Sequence, residues 1–121
     1  MTPITMVEDD LILADMYVAR FELEGLAVSK VTRGDQAAAR IKQDHPRLVI
    51  LDIRLPGKDG LEVLAELKKS PATAKIPVIV FTAAQDKTKE TRAKELGASR
   101  FFNKAQTEPR DLVKAVKALL N

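Results

Sequence analysis

The chain has no cysteine and no tryptophan, and only one histidine, one tyrosine and four phenylalanines among its 121 residues. Without cysteine it can have no disulfide framework, thiolate metal site or sulfur nucleophile. Long apolar runs are missing too: the longest, Leu48 to Leu51 and Ile76 to Phe81, are of strand length, far short of the roughly 18 residues a membrane helix needs. The N-terminus, Met1 to Glu8, has no basic leader and soon meets acid, unlike a secretory signal. The expected location is therefore cytoplasmic, with no membrane contact. The net charge is +3, with 7 Lys/Arg against 9 Asp/Glu in residues 1–57 and 13 against 8 in residues 58–121. Basic residues in the second half interleave with glutamates as on solvated helix faces, and aromatics for base stacking are scarce, so no direct nucleic-acid binding is expected.

What is present is the balance of one globular domain spanning 1–121, with 45% hydrophobic and 31% charged residues. Strand-length apolar runs alternate with segments of helical period. Strands are expected near Ile4 to Val7, Ala27 to Val31, Leu48 to Leu51, Val78 to Phe81 and Arg100 to Phe102. The third and fourth are apolar on both faces, as strands inside a covered parallel sheet are. Helical stripes are read at Leu11, Ala14, Val18 and Phe21, at Ala37, Ala38 and Ile41, and at Leu61, Leu64 and Leu67. A last helix has Leu112, Val116, Leu119 and Leu120 on one face, Pro109 in its first turn and Thr107 as its expected cap. The segment Asp86 to Leu96 offers little more than Ala93 and Leu96 to a core, and its helix should be the most weakly held. The expected fold is α/β: a doubly wound (βα)5 three-layer sandwich around a five-stranded parallel sheet of order 2-1-3-4-5, flavodoxin-like.

Ligands of such sheets bind outside the carboxyl ends of the strands, at the switch point. Glu8-Asp9-Asp10 follow the first strand, Asp52 the third, Thr82 the fourth and Lys104 the fifth. Carboxylates gathered in one crevice repel one another unless a positive charge sits among them. An oxygen-only ligand set suits Mg²⁺, whereas zinc would favour histidine or cysteine. With the cation bound, an aspartate can attack phosphorus, the Lys104 ammonium can neutralise transferring oxygens, and the Thr82 hydroxyl can hydrogen-bond the arriving group.

The runs Val7-Glu8-Asp9-Asp10, Leu51-Asp52-Ile53-Arg54-Leu55-Pro56-Gly57-Lys58-Asp59-Gly60, Thr82-Ala83 and Phe101-Phe102-Asn103-Lys104 closely resemble the receiver domain of bacterial two-component response regulators, across essentially the whole chain. The resemblance implies that Asp52 is the phosphoacceptor and Asp9 a direct Mg²⁺ ligand. It further implies that Glu8 acts through water, that the Arg54 backbone carbonyl completes the protein ligands, and that Thr82 and Lys104 contact the phosphoryl group. The acidic triplet allows the pairs Glu8-Asp9 or Asp9-Asp10. In the family the pair directly follows the strand's last apolar residue, here Val7, which gives Glu8 and Asp9 and leaves Asp10 to cap the first helix. Phosphorylation in the family draws the hydroxyl residue inward and an aromatic follows it from exposed to buried, here Thr82 and Phe101. The implied output is the face of the fourth helix, fifth strand and fifth helix, also a possible homodimer surface. Implied partners are a sensor histidine kinase or phosphotransfer protein, and a downstream protein target or output domain. The domain would be no enzyme on a metabolite, although it contributes catalysis to its own phosphorylation and hydrolysis.

The family usually has proline after the lysine, commonly through a cis peptide, and this chain has Ala105. Either a strained non-proline cis bond or a trans route is open there. Arg54 and Ala84 occupy positions that in the family tune phosphoryl lifetime. Gly57 and Gly60 lack the Walker ending and read as turn residues, and His45 before Pro46 reads as a surface residue. A haloacid-dehalogenase-type hydrolase would want aspartate where Arg54 stands, and no flavin-phosphate loop follows the first strand. A phosphate-independent interaction module is the remaining alternative. The chain ends directly after the fifth helix, which fits either a stand-alone regulator or a piece of a longer protein.

Overall fold

Side-chain alternation divides the sheet between two cores. On one face Ile4, Met6, Leu48, Ile50, Ile79 and Phe81 pack with Ala14, Tyr17, Phe21, Leu112, Val113 and Val116. On the other Val7, Val31, Val49, Leu51, Val78 and Val80 pack with Ala37, Ile41, Val63, Leu64, Leu67 and Ala93. Period two sends successive strand residues to opposite faces, so a strand buried on both is nearly apolar throughout, Thr5 being the buried polar exception in the first strand. The computed structural model describes residues 3–121. Its elements run β1 (Ile4–Val7), α1 (Leu11–Leu23), β2 (Val28–Val31), α2 (Ala37–Asp44), β3 (Leu48–Leu51), α3 (Gly60–Lys69), β4 (Val78–Thr82), α4 (Lys87–Glu95), β5 (Arg100–Asn103) and α5 (Pro109–Leu120). Short 3-10 turns precede α2 and follow β5.

The five strands are ordered β2-β1-β3-β4-β5 and every pairing is parallel. Helices α1 and α5 cover one face and α2, α3 and α4 the other, giving the expected three layers. No helix of the described residues is long and apolar enough to cross a membrane.

Three local expectations are corrected. Leu11 does not belong to the buried stripe of α1: it is 53% exposed, and the inward face is Ala14, Tyr17 and Phe21. The buried face is rotated toward Tyr17, whose ring packs edge-on against Phe81 at 5.4 Å between centroids. Thr107 does not cap α5; Glu108 does, and its amide donates to Asp111 Oδ2 at 3.2 Å. Thr107 instead donates its hydroxyl to the Asn103 carbonyl at 2.7 Å. The fourth and fifth strands each run one residue further than the apolar pattern, through Thr82 and Asn103, because backbone pairing continues where side chains turn polar. The expected weakness of α4 has a structural counterpart: Ala93 is its one buried residue, and Asp86 caps it through the Thr88 amide at 2.8 Å.

Candidate functional site

Backbone ladders bring the first two acidic groups together. The Glu8 amide donates to the Val31 carbonyl at 2.9 Å and the Asp52 amide to Val7 at 3.0 Å, so both residues extend their strands by one step. Their side chains are buried, Glu8 being 1% and Asp52 4% exposed, whereas Asp9 faces solvent. Carboxylate oxygens of Glu8, Asp9 and Asp52 lie within 4.8 Å of one another. Asp10 stands apart as the cap of α1, accepting from the Leu13 amide at 3.1 Å, so the acidic residues that gather with Asp52 are Glu8 and Asp9.

Lys104 closes the cluster. Its Nζ lies 2.8 Å from Asp52 Oδ2 and 2.5 Å from Glu8 Oε1, and 5.8 Å from the centre of the Phe81 ring. The other Asp52 oxygen, Oδ1, accepts from the Arg54 amide at 3.2 Å, while the Arg54 side chain is exposed. Glu8 Oε2 accepts from the Asp10 amide at 3.1 Å. Burial, with the Asp52 charge adding to it, pushes the Glu8 carboxyl up to about 7 against the opposing pull of Lys104. Burial also works against the Lys104 ammonium, but its close pairing with Asp52 and Glu8 outweighs that and holds it above its ordinary value. Glu8 Oε1 is ion-paired yet has no aligned hydrogen bond. Three carboxylates this close, facing a single ammonium, fit a divalent cation that prefers oxygen ligands.

Thr82 is fully buried at the end of β4, and its hydroxyl oxygen accepts from the Ala84 amide at 3.2 Å, leaving the hydroxyl proton free to donate. Phe101, paired in register with Val80, is half-buried beside a cavity of about 370 Å³ lined by Ala84, Lys87, Glu90 and Gln106 among others. Lys104 is followed by a trans peptide, since none of the described peptide bonds is cis, so the chain takes the trans route. His45 is exposed, as expected, and ends α2 in a left-handed conformation with φ 47°.

Sequence reasoning missed how close the glycines come to this site. Gly57 is a turn residue with φ +85°, but Gly60 opens α3 against the end of β3, where a Cβ would sit 2.0 Å from the Asp52 carbonyl oxygen. The missed signal was its place between the cap Asp59, which holds the Glu62 amide at 3.0 Å, and the first apolar residue of α3.

A doubly wound sheet whose strand ends gather buried carboxylates around one lysine defines an α/β domain with a cation-competent acidic pocket at its switch point. The chain belongs to the response regulator receiver domain family, whose model matches residues 4–117, and is thus a signalling domain of two-component systems. Phosphate regulon transcriptional regulatory protein PhoB of Rhizobium meliloti is 35% identical over 117 residues, 97% of this chain and 51% of that protein. PhoB of Pseudomonas aeruginosa is 32% identical over the same shares. The chain therefore spans about half the length of these curated relatives. Among solved structures, the BeF3-activated N-terminal receiver domain of Klebsiella pneumoniae RstA superposes with TM-score 0.90 at 30% identity, covering 98% of this chain and 97% of that one. The Mn²⁺-bound form of response regulator Rcp1 has TM-score 0.81 at 29% identity, over 96% of this chain and 89% of that one. Receiver domains interact with histidine kinases and output domains. Relatives that include transcriptional regulatory proteins give no support to the expectation that nucleic acid plays no part.

Proposed function

We propose that this domain takes a phosphoryl group from a histidine kinase or phosphotransfer protein onto Asp52, in a Mg²⁺-dependent reaction, and signals through a changed surface. The observation that carries the reading is the convergence of Glu8, Asp9, Asp52 and Lys104, with Lys104 Nζ 2.8 Å from the proposed nucleophile.

In this reading Asp9 and Asp52 would hold the metal directly, Glu8 would act through water, and Arg54 would contribute its backbone carbonyl. Bound there, Mg²⁺ supplies positive charge against the negative charge of the transferring oxygens. An Asp52 carboxylate oxygen attacks phosphorus, the bond from phosphorus to the donor breaks, and the donor leaves with its electron pair. Lys104 is already charged and aimed at Asp52, so it stabilises the phosphoryl oxygens without reorganising. The Thr82 hydroxyl proton then finds an acceptor in the new group. Its inward turn, followed by Phe101 into the adjoining cavity, changes the face of α4, β5 and α5, the surface read here as binding an output domain, a protein target or a second copy. The large exposed apolar side chains of the described residues, Leu11, Ile12, Met16 and Leu23, all lie on α1. We read that helix as the face that meets the protein donor. A cytoplasmic location and a non-enzymatic role are part of the same reading.

Kinetics with acetyl phosphate test it. Lys104→Ala should slow phosphorylation by about 100-fold or more, the scale of losing one aimed transition-state group, and Mg²⁺ removal should abolish it. Full reactivity of Lys104→Ala, or reaction in excess chelator, would contradict the reading.

A further inference from the structure

Lys104 stands where β5 ends and a three-residue 3-10 turn, Lys104–Gln106, begins. A turn that short has little stability of its own, and its leading amides find no partner inside it. Yet Lys104 must deliver Nζ to 2.8 Å from Asp52 Oδ2 at the end of a four-carbon stem. A flexible stem reaches one place consistently only if its backbone is fixed, because each unfixed torsion multiplies the positions open to the tip.

Two side-chain hydrogen bonds do that fixing, and both converge on residue 103. The Ala105 amide donates to Asn103 Oδ1 at 2.9 Å. From the far side of the turn, the Thr107 hydroxyl donates to the Asn103 carbonyl at 2.7 Å. Asn103 is itself anchored as the last rung of the β4–β5 ladder, opposite Thr82. The lysine is thus hung from a residue in register with the other proposed phosphoryl contact, and the turn it opens is tied off at both ends.

We propose that Asn103 and Thr107 are positioning residues for phosphoryl transfer: by tying off the turn that begins at Lys104, they hold its ammonium at the Asp52 carboxylate. The proposal rests on the reading of Asp52 as acceptor. Asn103 ranks with the best capping residues, and serine offers a comparable neutral oxygen where alanine offers none.

The test uses the whole chain with Asn103→Ala, Asn103→Ser and Thr107→Val. Two quantities are read: the rate of phosphorylation by acetyl phosphate at saturating Mg²⁺, and the ¹⁵N NMR signal of the Lys104 ammonium without any donor. Asn103→Ala should slow the reaction about fivefold, the usual scale for a lost cap, and move the ammonium signal toward that of an exposed lysine. Asn103→Ser should restore both, and Thr107→Val should shift them in the same direction as alanine. A wild-type rate and an unmoved signal in Asn103→Ala would overturn the proposal, as would Asn103→Ser behaving like alanine. If Asn103→Ala fails to fold, Thr107→Val decides by the same two readings. If the wild-type chain accepts no phosphoryl group, the reading of Asp52 fails, while the ammonium signal still decides whether Asn103 holds Lys104.

Discussion

Glu8 sits inside the protein with Asp52 and Lys104 as its charged neighbours, and this has a consequence for stability. Its carboxyl titrates near 7 in the folded chain against the ordinary 4.5 when unfolded. Between those values the folded state holds a proton that the unfolded state has released. The stabilisation is full below pH 4.5 and is lost as pH rises through 7, by something on the order of 3 kcal/mol for a shift of this size. Lys104, held above its ordinary value, stays charged throughout that window. Urea unfolding in metal-free buffer should show the wild type losing more stability than Glu8→Gln between pH 5 and pH 8; parallel losses would contradict this account. Mg²⁺ affinity should also rise through pH 7, because an ionised Glu8 completes the acidic set, and pH-independent calorimetric titrations would count against it. Gly60→Ala forces a Cβ to within 2.0 Å of the Asp52 carbonyl and should cost about 2 kcal/mol by overpacking; a denaturation midpoint equal to the wild type would refute that. At this scale the sequence was legible where chemistry follows a strand end: Glu8, Asp52, Thr82 and Lys104 could be placed because parallel strands finish at one edge. The Gly60 approach, the Asn103 cap and the Thr107 hydroxyl were hidden, since each depends on where a neighbouring backbone passes and leaves no periodic trace.

Among the elements, α4 and α1 depart furthest from ordinary amphipathic helices. Helix α4 buries only Ala93, and its surface ion pairs, such as Glu90 with Lys94 at 3.2 Å, contribute little. Amide exchange across Lys87–Glu95 should therefore be much faster than in β1, β3 and β4, and should slow on phosphorylation. Exchange as slow as in those strands, with or without phosphate, would contradict a movable output face. The low apolar content of α4 was readable in advance because it needs only composition. The face of α1 was not: Leu11, Ala14, Val18 and Phe21 and the true set of Ala14, Tyr17 and Phe21 both obey helical spacing. What decides between them is the ring of Phe81 on the sheet beneath, which Tyr17 meets edge-on. The cap of α5 was misplaced for a similar reason, the Thr107 hydroxyl being drawn to Asn103 rather than to the helix.

For the whole molecule, strand order places the chemistry. With β1 and β3 adjacent at the centre and β4 and β5 beyond, the switch point brings two carboxylate-bearing strand ends together, and the lysine reaches back across β4 to meet them. That topology was legible from alternating elements and the handedness of their connections. Its two helical layers differ: α1 presents exposed apolar side chains, and α4 buries only Ala93. The proposed function depends on Asp52 being a metal-dependent acceptor. The most direct test is intact mass after incubation with acetyl phosphate, with and without Mg²⁺, beside Asp52→Ala. A gain of about 80 Da, the mass of one phosphoryl group on a carboxylate nucleophile, is predicted for the wild type with metal only and never for the variant. The same gain on Asp52→Ala, or none on the wild type under quenching that preserves acyl phosphates, would contradict the account.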